Sequence, residues 1–376
     1  MANVIFLGLV SFFADISAEM VYPIIPLYLT SVFGATPAIV GLIEGIAESA
    51  ASLLKVFSGY FTDKYKRKKS IAFIGYATGL IYKVALVFAD SWGGILGARV
   101  IDRTGKGIRT APRDVMVSES AHNEQSGTAF GIHKALDMAG SALGILIAYL
   151  LLKSSNGNFQ YKQIFLISMI PAALSLLMFF KIKEKKEERV LKEREPLWKN
   201  MKKLDGQLKL YLFVAFLFTL GNSSNAFLLL RAKSVGFDNT TVILLYFIYN
   251  ITASIFAIPA GKRSDKVGRK GLLVAGYIIF SLVYFGFAFA YNKSFMIALT
   301  AGVERAFIAE VSPKELKGTM LGLHSTIVGI ALLPASTIAG LLWNSFGAKS
   351  PFIFGACMSL AAALIFFILM NKFQFR

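Results

Sequence analysis

Twelve apolar runs of about 20 residues, separated by short polar breaks, leave this chain of 376 residues little choice of environment. They fall at roughly 4–29, 37–61, 70–89, 91–112, 127–152, 163–181, 209–231, 240–261, 271–291, 294–310, 318–343 and 350–371. Most are about as long as a helix must be to cross a hydrocarbon core of ~30 Å. Inside that core every backbone amide must be paired, which only helices and closed barrels achieve. The runs lack the alternating apolar and polar residues of barrel strands, so the sequence predicts an all-α membrane protein with twelve transmembrane helices. Composition agrees: only 16% of residues are charged, against ~25% in a typical soluble domain.

The net charge of +18 would suggest nucleic acid in a soluble protein, but here the basic residues occupy alternate loops. Lys64, Lys66, Arg67, Lys68 and Lys69 fill one loop, and Lys262, Arg263, Lys266, Arg269 and Lys270 another. The stretch 181–209 holds eleven more, mixed with Glu, while residues 30–36 and 90–92 carry no Lys or Arg. The positive-inside rule then places the basic loops and both termini in the cytoplasm, in a multi-pass cell-membrane protein with the lipid bilayer as its surroundings and no nucleic-acid partner. Met1-Ala2-Asn3 has no basic segment, and the first run is too long for a cleaved signal peptide. Cys357 is the single cysteine, which excludes internal disulfides and thiolate metal sites. Gly105-Lys106-Gly107 lacks the earlier glycine and the following Ser or Thr of a phosphate loop. With no metal-ligand spacing and no nucleophile–base–acid set, the expectation is a chain that is not an enzyme and uses no cofactor or metal.

The chain repeats itself. Gly59-Tyr60-Phe61-Thr62-Asp63-Lys64-Tyr65-Lys66-Arg67-Lys68 and Gly261-Lys262-Arg263-Ser264-Asp265-Lys266-Val267-Gly268-Arg269-Lys270 both read Gly-x-x-x-Asp-Lys-x-x-Arg-Lys, 202 residues apart. A second match pairs Gly127-Thr128-x-x-Gly131-x-His133 with Gly318-Thr319-x-x-Gly322-x-His324, 191 residues apart. The halves divide at a charged stretch, giving a first bundle over 1–181, a cytoplasmic linker over 182–208 and a second bundle over 209–376. The difference between the offsets, 202 and 191, makes the second half eleven residues shorter between its landmarks. That shortfall falls on the tenth run, whose residues 295–310 span only about 23 Å as a helix.

The duplicated loop resembles that of the major facilitator superfamily, whose loops after the second and eighth helices carry Gly-x-x-x-Asp-(Arg/Lys)-x-Gly-(Arg/Lys)-(Arg/Lys). The second copy fits throughout; the first has Lys66 where the second Gly belongs. The stretches Asp102-Arg103-Thr104-Gly105-Lys106-Gly107-Ile108-Arg109-Thr110-Ala111-Pro112-Arg113-Asp114 and Asp15-Ile16-Ser17-Ala18-Glu19-Met20-Val21-Tyr22-Pro23 are similar to a prokaryotic permease subgroup of that family. The resemblance implies two pseudo-symmetric six-helix bundles and transport by alternating access. It also implies gating by the two loops, through Gly59, Asp63 and Arg67 and through Gly261, Asp265 and Arg269.

Charges inside the runs cost at least ~2.5–3.5 kcal/mol each against lipid, so they face one another or a wet path. The first half is rich in them: Asp15, Glu19, Glu44, Glu48, Lys83, Arg99, Asp102, Arg103, Lys106, Arg109, Arg113, His133, Lys134 and Asp137. By rise per residue, Asp15, Glu48, Asp102, Arg103 and Asp137 lie ~15–18 Å from the nearest loop, near the midplane where facilitator-type sites form. The second half answers with amides: Glu48 falls on Asn250 at the 202-residue offset, and Glu19 within one residue of Asn222, in the patch Asn222-Ser223-Ser224-Asn225. Asp15, Glu19, Glu48, Arg99, Asp102, Arg103, Lys106, Arg109, Asp137, Asn222 and Asn225 are therefore the candidate substrate and ion pathway. Asp15, Glu19 and Glu48 are the candidate proton carriers, and His133, matched by His324, reads as a packing residue common to both halves. Pro23 and Pro26 predict a kink in the first helix, Gly105 and Gly107 a loosened fourth helix, and Gly140-x-x-x-Gly144 a close helix crossing.

The expectation is a monomeric secondary transporter of a small solute, coupled to protons or another cation, with the basic surplus favouring an anionic substrate. Efflux of apolar or cationic compounds and a non-transporting sensor or scaffold of the same fold are the alternatives.

Overall fold

In a computed structural model of the chain, residues 2–65, 67–120, 126–154, 161–184, 206–252, 269–293 and 319–372 are described. Helices account for nearly all of them, and no strand occurs among them. In chain order they are α1 (Ala2–Val21), α2 (Ile24–Val32), α3 (Pro37–Tyr65), α4 (Lys68–Phe88), α5 (Trp92–Ser120), α6 (Ser126–Ser154), α7 (Tyr161–Phe179), α8 (Gly206–Gly221), α9 (Ala226–Ser234), α10 (239–252), α11 (Arg269–Ala288), α12 (Thr319–Phe346) and α13 (Ser350–Lys372). Seven stretches of described residues are long and apolar enough to cross a membrane, α1–α2 and α8–α9 each counting as one. The shortened tenth run, the linker beyond Glu184 and the second loop motif before Arg269 lie outside the described residues.

The first helix of each half is broken at the same place by different chemistry. Between α1 and α2 stands Pro23, which lacks the N–H a continuing helix needs and crowds the preceding turn. Between α8 and α9, 202 residues on, stands the Asn222–Asn225 patch, which the apolar run 209–231 predicts as part of a continuous helix. Its side chains take over the backbone work: the Ala226 N–H donates to Ser224 Oγ at 3.2 Å and the Ser224 N–H to Ser336 Oγ at 3.3 Å. Polar side chains can pair with the amides of a helix end, and this makes a break tolerable inside a bundle.

By contacts the chain forms two units, one of residues 1–35 and 50–192, the other of residues 36–49 and 193–376. α3 is thus shared, nearly half of it, up to Ser49, counting with the second unit.

In the first unit α1 packs on α6 and α7, and α4 on α5 and α7. Apolar helices have no hydrophobic drive to associate in lipid, so small residues and hydroxyls hold them together. Gly140 and Gly144 of α6 face the α1 backbone at Phe12 and Ile16 so closely that a Cβ would collide. Ser17 Oγ and Ser175 Oγ donate to the carbonyls of Ser168 and Val10 at 2.7 and 2.8 Å, tying α1 to α7. α5 runs without interruption through Gly105 and Gly107. Gly105 seats α4 at Gly75 and Thr78, and Gly107 seats α3 at Ala51 and Leu54.

In the second unit α13 packs on α11 and α8, and α12 on α8. Reciprocal bonds lock α11 to α13: Ser281 Oγ donates to the Ala356 carbonyl at 2.8 Å and Ser359 Oγ to the Tyr277 carbonyl at 2.7 Å. The shared portion of α3 joins through Gly41 and Gly45, which face the α12 backbone at Ser336 and Leu333, and through Ser49 Oγ, which donates to the Gly329 carbonyl at 2.7 Å. Arg231, buried in the last turn of α9, donates to the carbonyls of Phe287, Ala288 and Ala290 at 3.0, 3.1 and 3.0 Å, closing the C-terminus of α11.

α10 starts at an exposed aspartate cap: Asp238 Oδ2 accepts the Thr241 N–H at 3.1 Å and Oδ1 accepts the Thr241 hydroxyl. Thr241 holds the Asp238 carboxyl below its ordinary range. A lowered folded-state value means that the contribution is complete above the ordinary carboxylate range and is lost as pH falls through the lowered value. Asp238→Ala is expected to cost about 1 kcal/mol at neutral pH, the usual worth of such a cap, and less in acid. Thermal unfolding of both proteins at pH 7 and below pH 4 checks this.

Candidate functional site

Charge and burial converge in the first unit, on faces of α1, α5 and α6 that turn inward because lipid would reject them. α5 supplies a ladder at helical spacing. Arg99 and Arg103, one turn apart, are 1% and 6% exposed. Both reach the carboxylate of Asp102, at 3.6 and 3.8 Å, and both guanidiniums stand over the ring of Tyr22, 5.3 and 5.4 Å from its centroid. One carboxylate and one aromatic face therefore serve two cations. A desolvated cation on an aromatic face is worth up to ~2 kcal/mol, which helps to retain two arginines beside a single aspartate. Lys106, the next rung, is exposed. Arg109 is buried, with its guanidinium 4.5 Å from the centre of the Tyr76 ring. Tyr76 in turn shares a hydrogen bond of 2.9 Å with Ser11, which lies 3.1 Å from Nε2 of His133. His133 thus sits in a chain of contacts joining α1, α4 and α6.

The second part of the cluster is carboxylic. Asp15 of α1 and Asp137 of α6 are half-buried, with their carboxyl groups close enough to interact. Asp137 also pairs with Lys134 at 3.3 Å and lies 4.0 Å from Arg113, whose other contact is Asp114 at 2.9 Å. One turn beyond Asp15, Glu19 presents a buried Oε2 that accepts no hydrogen bond among the described residues.

Of the residues expected from sequence, Asp15, Glu19, Arg99, Asp102, Arg103, Lys106, Arg109 and Asp137 all belong to this unit. Glu48 lies half-buried on the part of α3 that counts with the second unit, as does Glu44, which is 1% exposed and accepts a hydrogen bond from Ser224 Oγ at 3.3 Å. Asn222 and Asn225 flank the break between α8 and α9, and Asn225 Oδ1 is buried without a hydrogen-bond partner among the described residues. Gly59 is half-buried near Ala111, and Arg67 is exposed just ahead of α4. The side chains of Asp63 and Arg269, and all of Gly261 and Asp265, lie outside the described residues. The described residues hold no group of three or more His, Cys, Asp or Glu placed to bind a metal. Sequence reasoning missed Tyr22 and Tyr76 as seats for guanidiniums, and Arg231. The aromatics carried no signal, since the sequence does not say which ring faces which arginine.

The sequence profile of the Major Facilitator Superfamily matches residues 7–292 and 211–373. An uncharacterised MFS-type transporter of Methanocaldococcus jannaschii is 36% identical over 96% of this chain and 94% of its own length. The fosmidomycin resistance protein of Escherichia coli is 26% identical over 72% of this chain and 67% of its own. Among solved structures, a mutant of the nucleoside transporter NupG superposes with a TM-score of 0.82 at 12% identity, covering 98% of this chain and 99% of that one. A D-xylose–proton symporter does so with a TM-score of 0.75 at 15% identity, covering 96% of each. At these identities the structural likeness speaks for the fold.

Proposed function

Because this chain belongs to the Major Facilitator Superfamily and is a multi-pass membrane transporter, we propose that it moves a small anionic solute in exchange for, or together with, protons. The observation that carries this reading is the close approach of the Asp15 and Asp137 carboxyl groups beside the cation ladder of α5. In this reading the carboxyl pair carries one proton and releases it when the path opens to the other side, and Arg113 and Lys134 stand ready to neutralise the Asp137 carboxylate that remains. The ladder favours an anion. Arg99 and Arg103 share Asp102, and Lys106 and Arg109 extend the basic run further along α5. The amides of Asn222 and Asn225, in the second unit, suit hydrogen bonding to an uncharged part of the solute. In this reading the segments 1–181 and 209–376 alternate about the linker 182–208, and a monomer in the cytoplasmic membrane with both termini inside carries out the cycle.

Proteoliposomes test the reading. For a panel of small organic anions and cations, a pH gradient drives accumulation of an anion by the wild type. In Asp15→Asn and Asp137→Asn, gradient-driven accumulation falls at least about tenfold, the factor set by 1.4 kcal/mol, while solute counterflow persists. Gradient-driven uptake that survives in both variants sinks the coupling role. Anion binding that is unchanged in Arg103→Ala sinks the anionic assignment.

A second reading, outward transport of apolar or cationic compounds, is favoured by relatives that carry the names of a quinolone resistance protein of Staphylococcus aureus and a multi-drug resistance efflux pump of Lactococcus lactis. They are 24% and 30% identical and match 37% and 39% of this chain. Cations winning the same panel decides for it.

A further inference from the structure

The basic end of the first loop motif is engaged by a piece of chain that the sequence assigns to the linker. α4 begins at Lys68 behind Arg67, whose side chain does not cap it. The first turn of a helix leaves N–H groups without intrahelical partners, and its positive end favours a carboxylate. Here that carboxylate comes from 115 residues away: Glu184 Oε1 accepts the Lys69 N–H at 3.2 Å. The Lys69 ammonium donates to the Ile182 carbonyl at 2.6 Å, and Lys68 pairs with Glu119 at the end of α5.

The same short segment is fixed from its other side. Asn3 near the start of α1 pairs with both backbone groups of Lys183: its Oδ1 accepts the Lys183 N–H at 3.0 Å and its Nδ2 donates to the Lys183 carbonyl at 3.1 Å. Asn3 Nδ2 also donates to Ser120 Oγ at 2.7 Å. Between these contacts Ile182, 2% exposed, belongs to a core with Val4, Met116, Val117, Ala129 and Phe179. One apolar plug and four hydrogen bonds hold residues that a flexible tether would leave free.

We propose that residues 181–184 form a strap across the ends of α1, α4 and α5, and that Glu184 is a positioning residue for the junction between α3, whose end carries the first Gly-x-x-x-Asp-Lys motif, and α4. The strap fixes the start of α4, so the linker acts on that junction through α4 rather than trailing from α7. The proposal depends on neither the substrate nor the coupling ion.

Amide exchange in the purified full chain in nanodiscs tests it. Glu184→Ala speeds exchange over residues 68–71 about tenfold, leaves α6 unchanged, and is largely rescued by Glu184→Gln, whose amide oxygen still accepts the bond. In a Cys357→Ala background, a cysteine at Arg67 reacts with a polar maleimide at a different rate in Glu184→Ala than with native Glu184 or with Glu184→Gln. Asn3→Ala, which leaves Glu184 in place, exposes the peptide bond after Lys183 to trypsin, which cuts it several-fold more slowly in the wild type. The proposal is overturned by unchanged exchange at 68–71 in Glu184→Ala, by equal acceleration in α6, or by equal cleavage after Lys183 in wild type and Asn3→Ala.

Discussion

Gly75→Leu is expected to leave almost no folded first unit. A Cβ at position 75 would stand 2.6 Å from Arg109 Cβ, 2.7 Å from the Gly105 carbonyl oxygen and 2.9 Å from the Arg109 N. Two of these three atoms are backbone, and the third is fixed to it, so no side-chain rotation relieves the clash. α4 and α5 would have to separate along a crossing that also places Arg109 over Tyr76. Overpacking a core costs ~1–3 kcal/mol where side chains can shift, and more where backbone must move. The expected loss is therefore at least about 3 kcal/mol, a large part of a marginal stability. Gly97→Leu is the control: nothing lies within 4 Å of a Cβ there, on an exposed face of the same α5. Monodisperse yield and unfolding temperature in detergent should collapse for the first variant and hold for the second. Normal yield of Gly75→Leu would mean that the two helices are not in backbone contact.

Arg231→Met should destabilise the second unit by about 3 kcal/mol, the scale of a lost charged donor. Methionine fills similar space but leaves the carbonyls of Phe287, Ala288 and Ala290 without their donor. Hydrogen bonds from a charged donor contribute ~1.5–3 kcal/mol each, and an orphaned buried carbonyl costs further. Against this stands the relief of no longer burying a guanidinium, which keeps the net below the sum. Arg231→Lys should fall between, because an ammonium on a narrow stem cannot serve three carbonyls with the fork of a guanidinium. Calorimetry of the three proteins orders them, and a methionine variant as stable as wild type would remove the capping role.

Both predictions concern residues whose type, but not whose partner, is legible in the sequence. A glycine at position 75 is one of 32, and nothing nearby distinguishes it from Gly97. Arg231 reads as an ordinary basic residue at the end of an apolar run, yet it is 5% exposed and closes a helix more than fifty residues away. The charged cluster divides in the same way. That Asp15, Asp102, Arg103 and Asp137 must point inward follows from the cost of charge in lipid. That Asp15 meets Asp137, while Arg99 and Arg103 share one ring, follows from which helices become neighbours.

By itself the sequence determined the medium, the helical class, the internal duplication and the family. The medium and the helical class rest on composition and period, which lipid enforces residue by residue through backbone pairing and charge cost, while the duplication and the family rest on the repeated motifs and the resemblance they carry. The break in the first helix was readable where proline made it, and hidden where Asn222–Asn225 made it, because polar side chains break a helix only when something receives their bonds. The tertiary structure alone decided which glycines seat a crossing, which arginines share one carboxylate, and that Glu184 caps α4. Those are pairings between segments far apart in the chain, fixed by the stacking of α1 on α6 and of α4 on α5 and α7. A helical period tells a side chain which face it occupies, and only the neighbouring helix supplies the atom it meets.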